Sequence, residues 1–237
     1  MIVYIVVMTD HGESVNRKGE SIMKAIAVNG SPRENGNTAV LLQNALRGAA
    51  SKGAETELIN LYELNFKGCI SCFACKRKGS QCNGLCAMKD GLTDVLKNIL
   101  TCDALFLGSP IYFGDVTGEV RSFLERLVFP SLSYNTGQRS IFQGKITSGL
   151  IYTMNATEEQ ACQMNYEAIF QQNKNLLGIF HGDPEILISY DTYQFNDYSM
   201  YEASKFDEIR KGKRKSEQFP VDCRRAFEMG ARFAVKM

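Results

Sequence analysis

The stretch KAIAVNGSPRENGNTAVLLQNALRGAASKG, residues 24–53, reads as a strand, a turn and a helix in succession. Lys24–Asn29 is a short, mostly apolar run. Gly30-Ser31-Pro32-Arg33 breaks it, because glycine and proline punctuate regular structure. Asn37–Gly53 then sets Val40, Leu41, Ala45, Leu46 and Ala49 at helical spacing. Working outward, the unit recurs. Glu55–Leu61 reads as a second strand. Asp90 is an N-cap for a helix with Leu92, Val95, Leu96, Ile99 and Leu100 on one face. Ala104–Gly108 is nearly all apolar, as a strand buried on both faces should be. Gly118–Val128 carries a helical stripe, and Lys145–Met154 is a fourth strand. Thr157-Glu158-Glu159-Gln160 is a capping box opening a long helix to about Leu177. Glu185–Tyr190 is a fifth strand. Strands alternating with helices bury a parallel sheet between two helical layers. The expectation is a three-layer α/β/α fold with a five-stranded parallel sheet, order 2-1-3-4-5.

In a sheet wound that way a ligand sits off the carboxyl ends of strands one and three, where the winding reverses. Two loops fall there. Gly30-Ser31-Pro32-Arg33-Glu34-Asn35-Gly36-Asn37-Thr38 offers hydroxyls and free backbone N–H groups at a helix N-terminus, a setting for an anion. Arg33 adds a cation. The Gly-Lys-Ser/Thr ending of a triphosphate-binding loop is missing, so a monophosphate fits better. Gly108-Ser109-Pro110-Ile111-Tyr112-Phe113-Gly114 puts a proline and two aromatics at a strand end, a flat edge with spare backbone polar groups that suits an isoalloxazine ring. Each loop alone is also an ordinary βα turn; their joint position at the switch point is what indicates a flavin. Between the second strand and the next helix lie Cys69, Cys72, Cys75, Cys82 and Cys86. A Cys-x-x-Cys-x-x-Cys run can present three thiolates to one iron–sulfur cluster. Structural zinc favours two separated pairs or added histidines, and the chain has only His11 and His181. A redox dithiol leaves the third cysteine surplus. On the residues alone, zinc stays open beside the cluster.

Together these segments resemble the NAD(P)H-dependent FMN reductase family, and within it the iron–sulfur flavoprotein branch, over about Met23 to Tyr190. The resemblance implies a flavodoxin-like fold, non-covalent FMN, a homodimer or homotetramer, and exchange with NAD(P)H or a ferredoxin-like protein. It implies Ser31, Arg33, Asn37 and Thr38 at the phosphate. Pro110, Ile111, Tyr112, Phe113 and Gly114 would line the ring, and Met154 and Asn155 would close the far side. It implies a [4Fe-4S] cluster on Cys69, Cys72, Cys75 and Cys86, because the segment from Cys86 to Leu92 is similar to the family's surroundings of the fourth cysteine; Cys82 is the rival. No side-chain acid, base or triad is expected, since positioning against the flavin supplies the catalysis. The expected activity is an FMN-dependent oxidoreductase passing electrons between NAD(P)H or a ferredoxin-like donor and an acceptor. The alternatives are an FMN-dependent NAD(P)H reductase with structural cysteines, acting on quinones, nitro compounds or free flavin, and a non-enzymatic flavodoxin-like carrier or redox sensor.

Composition narrows the partners. The 237 residues carry 27 basic and 26 acidic side chains, net +1, which argues against a nucleic-acid surface. Lys211-Gly212-Lys213-Arg214-Lys215 reads as a solvated helix face. No apolar run reaches the length of a membrane span. Met1–Met8 is apolar but lacks the flanks of a signal peptide, and eight cysteines then read as reduced thiols of a cytoplasmic chain. Cys102, Cys162 and Cys223 read as small buried hydrophobes. The expected division is an N-terminal extension (1–22), the flavodoxin-like domain (23–190) with its cysteine loop (67–90), and a tail (191–237) packed on it. That tail is dense in aromatics: Tyr193, Phe195, Tyr198, Tyr201 and Phe206. It reads as packing, a dimer contact or a cover for the flavin, followed by a closing helix from Pro220.

Overall fold

In the computed structural model, which describes residues 7–8, 14–15 and 22–235, five parallel strands form the middle layer. They are β1 (Lys24–Asn29), β2 (Glu55–Asn60), β3 (Ala104–Pro110), β4 (Thr147–Thr153) and β5 (Glu185–Ser189), in the order β2-β1-β3-β4-β5. This is the flavodoxin-like order expected from the sequence. The register sets Asn29 opposite Gly108, Pro110 opposite Thr153, and Thr153 opposite Ser189. The carboxyl ends of four strands therefore share one edge. Val7–Met8 and Ser14–Val15 form a short antiparallel pair, and most of the rest of the N-terminal extension lies outside the described residues.

Side-chain alternation along each strand divides the core in two. Ala25, Ala27, Phe106 and Ile151 face α1 (Asn37–Ala50) and α7 (Phe219–Phe233). Ile26, Val28, Leu105, Leu107 and Leu150 face the other layer. That layer holds α2 (Thr93–Ile99), α3 (Gly118–Ser131), α4 (Glu158–Gln163) and α5 (Glu167–Leu177). Between β5 and α7 lie α6 (Glu208–Lys213) and a π-helical turn, Arg214–Gln218. Among the described residues no helix is long and apolar enough to cross a membrane.

Three sequence readings need revision. The helix expected from Thr157 to Leu177 is two helices, because Asn165 adopts φ 54°, the left-handed conformation that asparagine tolerates, and ends the first. Cys162 is exposed, whereas Cys102 is buried, and burial pushes its thiol pKa up to about 12. Lys211 is fully buried rather than on a solvated face.

Candidate functional site

The first loop leaves β1 and returns immediately into α1. Asn29 Oδ1 accepts the Ser31 N–H at 3.1 Å, and Ser31 Oγ accepts the Arg33 N–H at 3.1 Å. These short-range bonds curl the loop around its own polar groups. Gly36 precedes α1 without a side-chain cap, so the first N–H groups of the helix are left for another acceptor. The second loop leaves β3. Tyr112 and Asp115 exchange backbone hydrogen bonds at 2.8 and 3.1 Å, with Phe113 and Gly114 between them at φ 52° and 86°. Positive φ at both central positions is the signature of a type I′ turn. The turn throws Phe113 fully into solvent and sets Gly114 against the Tyr166 ring. Thr117 joins the two loops: its hydroxyl donates to the Gly30 carbonyl at 2.8 Å while capping α3.

Between these loops lies a cavity of about 260 Å³. Ser31, Arg33, Asn37 and Thr38 line one end and Pro110, Ile111 and Tyr112 the other. Met154 and Asn155, from the loop after β4, form a further wall. Phe113 and Gly114 stand outside it. Thr38 shares a 2.7 Å hydroxyl–hydroxyl bond with Thr153. Three more lining residues, Thr192, Gln194 and Phe206, come from the segment after β5. That segment crosses the first loop: Arg33 Nη1 donates to the Gln194 carbonyl at 2.7 Å, and Asn37 Nδ2 to the Tyr193 carbonyl at 3.0 Å. Two amide oxygens on this wall, Asn155 Oδ1 and Gln194 Oε1, are buried with no hydrogen-bond partner among the described residues. Leaving a buried acceptor unpaired costs about 1–3 kcal/mol, so a donor that reaches either oxygen is favoured on this wall. A second hollow, about 530 Å³, lies against the edge strand β5. Its buried Asp222 carboxylate already accepts from Ser189, Arg214 and Gln218.

The cysteine loop packs against the far half of α3. Cys69, Cys72, Cys75 and Cys86 all line one small cavity there, and Cys82 does not. The cavity's charged wall is Glu125, which accepts the Cys69 N–H at 2.9 Å, and Arg126, which is 1% exposed. Arg126 Nε donates to Cys86 Sγ at 2.9 Å, and its Nη atoms grip both Asp90 oxygens at 2.8 and 3.1 Å and the Lys67 carbonyl at 2.7 Å. Hydrogen bonding from Arg126 holds the Asp90 carboxyl below the usual carboxylate range. Burial pushes the Cys75 thiol up and the Lys76 ammonium down. Among the described residues, no three His, Cys, Asp or Glu side chains converge in the geometry of a metal site. From Gly118 at the ring-side loop to Arg126 is roughly 12 Å along α3, at 1.5 Å per residue.

The sequence model of the NADPH-dependent FMN reductases matches residues 23–181, more than half of the chain. The chain belongs to that family. Among its relatives are an iron–sulfur flavoprotein of Methanocaldococcus jannaschii, 38% identical over 104 residues, and one of Archaeoglobus fulgidus, 34% identical over 128 residues. These alignments cover 44% and 54% of this chain and 51% and 60% of those relatives, so the chain spans about half to three fifths of their length. In fold it is similar to an NAD(P)H:quinone oxidoreductase from Methanothermobacter marburgensis, with a TM-score of 0.64 at 16% identity over 91% of this chain and 99% of that one. It is also similar to an azoreductase from Bacillus anthracis, with a TM-score of 0.63 at 12% identity over 89% of this chain and all of that one.

Both loops, the cysteine loop and Asn155 fall within the FMN reductase match, whereas Thr192, Gln194 and Phe206 lie beyond it. Sequence reasoning missed Thr192 and Gln194, and named Phe206 only among the aromatics of a tail that reads as packing, a dimer contact or a cover for the flavin. The density of aromatics after residue 191 was their only signal, and it does not say which side chain turns inward.

Proposed function

We propose that the chain is an FMN-dependent oxidoreductase exchanging electrons between NAD(P)H or a ferredoxin-like donor and an acceptor, with a [4Fe-4S] cluster in its cysteine loop. The observation that carries the flavin is the cavity between the two switch-point loops, with the uncapped N-terminus of α1 and Arg33 at one end and Pro110, Ile111 and Tyr112 at the other. A flavin mononucleotide fits both ends. Its phosphate is an anion for the helix terminus and Arg33, and its ribityl hydroxyls and ring N–H are donors for the Asn155 and Gln194 amide oxygens. FMN supplies two-electron exchange with a nicotinamide and one-electron release, and a thiolate-held cluster supplies one-electron exchange. Ser31, Asn37 and Thr38 would hold the phosphate end. Pro110, Ile111 and Tyr112 would support the ring edge, with Met154 excluding water. Phe113 and Gly114 reach a bound ring only from the mouth of the cavity, where exposed Tyr112 and Phe113 also offer a surface for a second copy of the chain.

The cluster reading is supported by four thiols on one cavity beside a buried guanidinium, a donor set of the right chemistry, and by the names of the relatives. The unconverged thiols favour a second reading, an FMN-dependent NAD(P)H reductase whose cysteines are structural. An anaerobic visible spectrum with iron and acid-labile sulfide assays separates the two. Flavin bands with about four irons per chain support the relay. Flavin bands without iron, and steady NAD(P)H oxidation, support the plain reductase. No uptake of added FMN sinks both.

A further inference from the structure

Lys211 is the most deeply buried lysine among the described residues, at 0% exposed. Its ammonium donates to Asp191 Oδ1 at 2.6 Å, the Asn155 carbonyl at 3.3 Å and the Thr192 carbonyl at 3.4 Å, and it sits 5.4 Å from the centre of the Phe206 ring. Three of these four partners line the cofactor cavity. The bonds continue outward. Asp191 and Thr192 lead directly into Tyr193 and Gln194, whose carbonyls hold Asn37 and Arg33 at the phosphate end. Arg210 adds a second bond to Asp191 at 3.3 Å. Removing an ammonium from water is expensive, and a buried ion pair is weak evidence of net stability. What this one does is fix two segments, the loop after β4 and the strap after β5, in one geometry. Lys211, Gln194 and Phe206 all fall outside the family match at residues 23–181, so the device belongs to this chain's own tail.

We propose that Lys211 is a positioning residue that clasps the strap, residues 191–206, over the cavity, and through Tyr193 and Gln194 sets the site's preference for a phosphorylated flavin. The inference rests on the FMN reading and names what tunes that site.

The test titrates flavin-free protein with FMN and with riboflavin by fluorescence quenching. The charge-balanced variant carries Lys211→Met and Asp191→Asn together. It is expected to keep the wild-type far-UV circular dichroism, lose roughly tenfold in FMN affinity and lose less for riboflavin. Limited proteolysis within the strap should accelerate. Asp191→Asn alone weakens the clasp without removing the lysine, and asparagine accepts the left-handed conformation at this position, φ 51°. An intermediate loss is expected from it, and Lys211→Met alone, which leaves Asp191 its bond from Arg210, decides the matter if the double variant does not fold. A folded clasp variant with wild-type FMN affinity, or with equal losses for FMN and riboflavin, overturns the proposal. Wild-type protein that takes up neither flavin overturns the FMN reading itself, and the clasp with it.

Discussion

Arg126 carries a positive charge into the core and places its hydrogen bonds on Asp90, Cys86 and Lys67. Removing its counter-charge with Asp90→Ala strands a buried cation, and a loss of about 3 kcal/mol is expected in chemical denaturation. The pH dependence follows from the depressed carboxyl pKa. A carboxylate that is more acidic when folded stabilises the fold fully above its ordinary value, near pH 4, and loses that contribution as acid protonates it. The stability gap between wild type and Asp90→Ala should hold steady through neutral pH and close below about pH 4. A gap that widens in acid contradicts this pairing. At the neighbouring cavity, Cys86→Ser is expected to abolish iron uptake on reconstitution, while Cys82→Ser leaves it near wild type, because Cys86 lines the cavity and Cys82 does not. Equal iron in both variants removes Cys86 from the ligand set. Cysteine spacing alone left these two as rivals. A loop without regular structure carries no periodicity to say which thiol turns inward, whereas the bond from Arg126 to Cys86 ties that thiol into the core.

Helices α1 and α7 meet through glycine. A Cβ on Gly48 would stand 1.9 Å from the Phe227 carbonyl oxygen, and one on Gly230 would stand 1.8 Å from that of Ala45. Backbone occupies both positions, so a side chain there must push the helices apart. Gly48→Ala is expected to destabilise by about 2 kcal/mol and lower the melting temperature by roughly 4–8 °C. An unchanged melting temperature would mean that the helices are free to separate. The apolar stripe of α1 and the closing helix from Pro220 were legible in the sequence, because 3.6-residue periodicity is a local property. That the two helices touch was not, since the contact joins residues nearly two hundred positions apart. The break between α4 and α5 was hidden for a different reason. The capping box at Thr157 marks a start, which the structure keeps with both of its reciprocal bonds. Asn165 ends that helix by a left-handed turn, and asparagine also occurs within helices at modest cost.

For the whole molecule, ligand binding is a stability measurement. FMN at about a hundredfold excess over its dissociation constant should add about 2.7 kcal/mol, or roughly 5–10 °C in melting temperature for a chain of this size. Riboflavin at the same concentration should add less, because it leaves the N-terminus of α1 unpaired. No shift with FMN contradicts the assignment of the cavity. The sequence by itself determined the winding of the sheet and the two loops at its switch point. Strand and helix periods, capping residues and turn chemistry all act within a few residues, so they can be read in order along the chain. The tertiary structure alone decided what closes the cavity. Lys211 sits in a basic run that reads as solvated, yet it is buried against Asp191, Asn155 and Thr192. Whether a charge is buried depends on which distant groups surround it, and those are assembled only when the strap folds back across the carboxyl edge of the sheet.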